Sequence, residues 1–106
     1  MPDGRLYGVC GDDGRLVGCA AIHRLGETCC ELKRLYIQPA YRGRGLSRLL
    51  MEQCIGEAKQ IGYRQMRLDT LPFMTAAIGL YRQYGFYEIP PYYDNPIPAI
   101  FMQKDL

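Results

Sequence analysis

The chain has 106 residues, of which 48% are hydrophobic and 23% charged, with a formal net charge of +2. That balance fits one globular domain spanning residues 1–106, with a modest core. No apolar run approaches the roughly 20 residues of a membrane helix, so no membrane partner is expected. The small net charge gives no case for nucleic acid as a partner.

The cysteines are Cys10, Cys19, Cys29, Cys30 and Cys54, and His23 is the single histidine. They form no Cys-x-x-Cys pair, so no metal site is expected and buried, reduced thiols are the plain reading. The opening Met-Pro-Asp-Gly-Arg has no apolar stretch behind it. The expectation is therefore a cytoplasmic protein.

Residues 5–10 read as a short strand, followed by the hairpin-forming Gly11-Asp12-Asp13-Gly14. Leu16–Arg24 is the return strand and residues 28–37 a third, which makes an antiparallel meander. Simple alternation puts Cys29, Glu31, Lys33, Leu35 and Ile37 on one face of that third strand, and Cys30, Leu32 and Tyr36 on the other. Pro39 ends it.

Leu46, Leu49, Leu50, Cys54, Ile55, Ala58 and Ile61 recur at helical spacing, with Gly62 as the stop. Gly56 inside this helix suggests close packing on the sheet. Residues 65–71 read as a buried strand, parallel to the one before the helix. A second helix over residues 73–84 starts at Pro72 and is closed by Gly85. Strands at 86–89 and 99–104 flank a Tyr- and Pro-rich loop at 90–98. The order is βββαβαββ: an α/β (α+β) fold with a mixed, mostly antiparallel sheet.

Between the third strand and the first helix stands Tyr41-Arg42-Gly43-Arg44-Gly45-Leu46-Ser47. Glycines let a backbone approach an anion closely. The free N–H groups and dipole of the helix start favour negative charge there. Arg42 and Arg44 can add charge-assisted hydrogen bonds. Arg48 stands where a dinucleotide fingerprint needs its third glycine, and no Gly-Lys-Ser/Thr follows as in a P-loop.

Together these motifs resemble the GCN5-related N-acetyltransferase (GNAT) family. Its acetyl-CoA motif, Arg/Gln-x-x-Gly-x-Gly/Ala, is matched by Arg42-Gly43-Arg44-Gly45-Leu46-Ser47, with Ser in the last place. Leu35-Tyr36-Ile37-Gln38-Pro39 is similar to the family's strand end. Ala77-Ile78-Gly79-Leu80-Tyr81, with Tyr84-Gly85-Phe86, is similar to its second motif.

The resemblance implies acetyl-CoA as co-substrate, its pyrophosphate on the backbone N–H groups of Gly43, Arg44, Gly45, Leu46 and Ser47. It implies that Leu35, Tyr36 and Ile37 pair with the pantetheine arm. A backbone N–H near Tyr36 or Ile37 would polarise the thioester carbonyl. An attacking amine must be uncharged, so a base has to take its proton. Glu31 is the candidate, since it precedes Arg42 by the same spacing as the catalytic glutamate of the family's histone acetyltransferases. The plainer alternative is a strand glutamate paired with Lys33 or Arg24. Tyr81 matches the general acid that protonates the leaving thiolate; the alternative is a core tyrosine. The loop residues Tyr92, Tyr93 and Asp94 would face the acceptor, or else form a purely structural loop.

Two departures stand out. Met74 replaces a frequent Asn of the family, and the strand and helices with which the family usually begins find no match. A sheet edge left bare in this way invites pairing, so a homodimer is expected. The leading expectation is an N-acetyltransferase moving acetyl from acetyl-CoA to an amine of a small molecule or peptide. The alternative is a non-catalytic acyl-CoA-binding module.

Overall fold

The computed structural model describes residues 4–10 and 14–106; residues 11–13 of the expected hairpin turn lie outside it. Strands β1 (Gly4–Cys10), β2 (Leu16–Arg24) and β3 (Cys29–Ile37) form the antiparallel meander. A 3-10 helix at Pro39–Tyr41 leads through the glycine–arginine turn into helix α1 (Leu46–Ile61). Strand β4 (Gln65–Thr70), helix α2 (Thr75–Gln83), and strands β5 (Tyr87–Ile89) and β6 (Ile100–Asp105) complete the chain. The six strands lie in the order β1-β2-β3-β4-β6-β5. Of the neighbouring pairs, β3 with β4 is parallel and the rest are antiparallel. This is the mixed, mostly antiparallel α/β architecture expected from the element order.

Both helices contribute to a core on one face of the sheet. Met51, Cys54 and Ala58 of α1 are wholly buried against Ala20, Cys30, Met66 and Met102. Tyr81 is the buried residue of α2. Gly56 departs from expectation: it is exposed, and no atom lies within 4 Å of where its Cβ would stand. Close packing is not its reason.

Helix α2 begins two residues later than expected. The N–H of Met74 bonds the carbonyl of Leu71 at 3.0 Å, closing a turn with Pro72 at its second position. Proline's fixed φ suits that position, so the chain completes the turn before it enters the helix.

The more consequential departure is in β3. Its partners on β2 run Ala21↔Lys33 and Cys19↔Tyr36, so β3 carries one residue too many in between. Such a bulge reverses the facing of whatever follows it. Ile37 is buried in the core with Cys30 and Leu32, and Leu35 packs against it, whereas alternation put Leu35 and Ile37 with Glu31. The bulge also bends the strand. Pairing with β4 covers Cys29↔Gln65, Cys30↔Met66 and Glu31↔Arg67 and then ceases. Beyond Glu31 and Arg67 the two parallel strands part.

Candidate functional site

The end of β3 that no longer pairs with β4 lines a cleft of about 430 Å³. Its walls are the end of β3 (Leu35, Tyr36, Ile37), the turn and first residues of α1, and the inner side of α2, including Ala77, Leu80 and Tyr81. Two motifs far apart in sequence thus face each other across one space.

Gly43 and Gly45 both adopt φ of 80°, which any other residue takes only under strain. No protein atom comes within 4 Å of where a Cβ would stand at either. Gly45 caps α1 without a side-chain hydrogen bond, and the first turn holds no acidic residue. The helical ladder begins with the Leu49 N–H bonding the Gly45 carbonyl at 3.1 Å. The N–H groups of Leu46, Ser47 and Arg48 are therefore left without helical partners at the cleft wall, where the dipole is positive. The arrangement is a ready anion site.

The arginines divide differently from expectation. Arg42 donates its Nε to the Ile37 carbonyl at 3.0 Å and lies over the Tyr36 ring, which braces the turn against the end of β3. Arg44 stacks over Tyr41, its guanidinium 5.0 Å from the ring centroid. Arg48, read in the sequence only as a departure from a dinucleotide motif, lines the cleft and bonds Gln83 of α2. Met74 also lines the cleft.

Tyr81 is 8% exposed and reaches the cleft with its ring against Phe86. Burial, and then the negative charge of Asp69, push its phenol above the ordinary value of 10, so it holds its proton at neutral pH.

Glu31 lies before the bulge, on the sheet face opposite the helices, and its side chain is 5% exposed. Its Oε1 is 2.6 Å from His23 Nε2 and 3.4 Å from Lys33 Nζ. Its Oε2 accepts from the Tyr92 hydroxyl at 2.5 Å. Of the partners weighed from sequence, Lys33 is present, and His23 and Tyr92 join it. Lys33 also pairs with Asp69 of β4 at 3.6 Å. Asp69 accepts from the Tyr93 hydroxyl and, at 3.4 Å, from Asn95 Nδ2. Arg67 bonds Gln103 at 2.8 Å and lies under the Tyr92 ring.

The loop before β6 is thus clamped down by its tyrosines. Both rings meet Phe101 edge-on, with centroids 5.1 Å and 5.0 Å away. Burial first, and then the neighbouring carboxylates, raise both phenols, that of Tyr93 to about 12. Asp94 is exposed and outside this network. Asp69 and His23 were not singled out in the sequence. The available signal was a carboxylate and an arginine alternating with apolar residues in a strand read as wholly buried.

Among the described residues no group of three or more His, Cys, Asp or Glu side chains is placed to hold a metal ion. No helix among them is long and apolar enough to cross a membrane.

Comparison with known proteins bears on the family and the fold. The family model for the acetyltransferase (GNAT) family matches residues 1–86. The chain is 39% identical over 107 residues to an uncharacterised N-acetyltransferase of Schizosaccharomyces pombe, covering 99% of this chain. It spans 66% of that relative's length. A Klebsiella pneumoniae protein assigned as an acyl-CoA N-acyltransferase superposes with a TM-score of 0.87 at 33% identity, over 98% of this chain and 73% of that one. A GNAT family acetyltransferase from Elizabethkingia anophelis, solved with acetyl-CoA bound, superposes at 0.83 with 21% identity, over 98% and 77% of the two chains. At that identity the likeness speaks to the fold.

Proposed function

The chain belongs to the acetyltransferase (GNAT) family, and from that premise we propose that it moves an acetyl group from acetyl-CoA to an amine by direct transfer. The observation that carries this reading is the cleft, which joins an anion-binding helix start to a buried, protonated tyrosine beside the end of β3.

In this reading the pyrophosphate rests on the N–H groups of residues 43–47. The pantetheine arm pairs with the β3 backbone at Leu35, Tyr36 and Ile37, where β4 no longer does. The amine nitrogen, having given a proton to Glu31, attacks the thioester carbon. A β3 backbone N–H steadies the oxyanion. The C–S bond breaks, the leaving sulfur takes the Tyr81 proton, and the second proton lost by the nitrogen as the amide forms restores the phenol. Tyr92 and Tyr93 shape the acceptor side by holding the two carboxylates.

The test follows free thiol release from acetyl-CoA over a panel of amines and peptides. Amine-dependent release supports transfer. Binding without release supports the second reading, an acyl-CoA-binding module, which the full engagement of both Glu31 oxygens favours. No binding sinks both.

We further propose a cytoplasmic location, because free thiols at Cys10, Cys29, Cys30 and Cys54 suit a reducing compartment. We assign it as a homodimer, because β1 is an edge strand and Leu6 on it is 68% exposed. A monomer mass by light scattering at micromolar concentration would refute the dimer.

A further inference from the structure

Resting on the transferase reading above, we propose that the acceptor is a small amine that also carries a carboxylate. Its ammonium would sit between Glu31 and Asp69, and its carboxylate on Lys33.

Lys33 and Asp69 are the first residues beyond the last β3–β4 pair on their face, one on each lip of the opening. The Lys33 ammonium lies 3.4 Å from Glu31 Oε1 and 3.6 Å from Asp69 Oδ1. It fills the space between two carboxylates, where a substrate ammonium would be held beside the base. Both distances are long for hydrogen-bonded pairs, and the Lys33 side chain is 40% exposed on a flexible stem. An incoming ammonium can therefore displace it. The negative charge of Asp69 is felt by the Tyr81 phenol, which it helps to raise after burial.

Displacement leaves the Lys33 cation beside an arriving cation, with Arg67 on the same sheet face and already engaged by Gln103 and Tyr92. A simple amine gains two carboxylates and meets an unpaired lysine. An amine with a carboxylate supplies that lysine a partner, so neither cation is left without an anion. His23 shares Glu31 Oε1 with Lys33, at 2.6 Å, and adds no competing anion.

The test measures thiol release from acetyl-CoA with α- and ω-amino acids against their carboxamides. The carboxamides are the less basic amines and offer more free base at neutral pH, so intrinsic reactivity works against the proposal. We expect kcat/KM for the acids to exceed that for the amides by about tenfold or more, and Lys33→Gln to collapse this ratio towards one. Amides that match the acids, or a ratio that survives Lys33→Gln, overturn the inference. If acetyl-CoA binds and no amine turns over, the transferase reading fails. Binding of N-acetylglycine against N-acetylglycinamide to the coenzyme A-loaded protein then decides the inference. A carboxylate preference that Lys33→Gln removes supports it, and equal binding overturns it.

Discussion

Replacing Gly45 by alanine separates the anion site from mere support of the fold. Gly45 sits at φ of 80° with no protein atom within 4 Å of the added Cβ, so the change meets no steric wall and costs backbone strain alone. Left-handed strain is roughly 1–2 kcal/mol for a non-glycine residue. Reduced freedom of the unfolded chain returns about 0.4–1 kcal/mol of it. A net loss near 1 kcal/mol lowers Tm by about 4–8 °C in a domain of this size. Gly62 provides the control. It is also left-handed and open, at φ of 108°, and it closes the other end of the 16-residue helix α1, about 24 Å away.

Binding should divide the two variants. At Gly45 the methyl group stands at the wall where the N–H groups of residues 46–48 would hold a pyrophosphate. Losing one hydrogen bond to a charged group costs about 1.5–3 kcal/mol, which is more than tenfold in Kd. Calorimetric titration with coenzyme A should show that loss for Gly45→Ala and an unchanged Kd for Gly62→Ala, at comparable Tm. Acetyl-pantetheine, which lacks the pyrophosphate, should be used equally well by native protein and Gly45→Ala. Native coenzyme A affinity in Gly45→Ala would refute the placement of the pyrophosphate at this turn.

Tyr81→Phe should lower kcat by about 10²-fold or more, in the range of general acid catalysis, with acetyl-CoA affinity barely changed; a native kcat removes the acid role. Asp69→Asn withdraws a negative charge that disfavours the Tyr81 phenolate, so the alkaline limb of the kcat profile should move to lower pH; an unmoved limb would show that Tyr81 does not govern it. Gly56→Ala, in an exposed helical position with open space, should raise stability by about 0.5–1 kcal/mol in a denaturant titration, and a loss would mean that the position has a role not visible in its packing. Alkylation at pH 8 should mark the exposed Cys10 and spare Cys30 and Cys54, whose thiols burial pushes up to about 12.

The sequence was informative wherever chemistry is local. Leu46–Ile61 could be bounded to the residue because helical spacing, a glycine turn before it and Gly62 after it agree. The strand order βββαβαββ followed from turn residues and prolines. What escaped was non-local. The bulge in β3 arises where two steps on β2 oppose three on β3, and nothing in a single strand's alternation announces that. The partners of Glu31 come from β2, β3 and the loop before β6, brought together by sheet order alone. Asp69 needed the parallel pairing with β3 to become visible as one lip of an opening.

The one-residue bulge also decides which side chains face each side of the sheet. Before it, Glu31 and Lys33 face away from the helices, among the polar groups of β4 and the tyrosine loop. After it, Leu35 and Ile37 belong to the helix side, at the wall of the donor cleft. The pairing of β3 with β4 reaches only to Glu31, just ahead of the bulge. A regular strand with this sequence would place Leu35 on the face of Glu31 and Lys33. It would also turn Ile37 out of the core, which is the energetic reason the bulge persists. Core packing on one face therefore fixes the geometry of an opening whose chemistry lies on both.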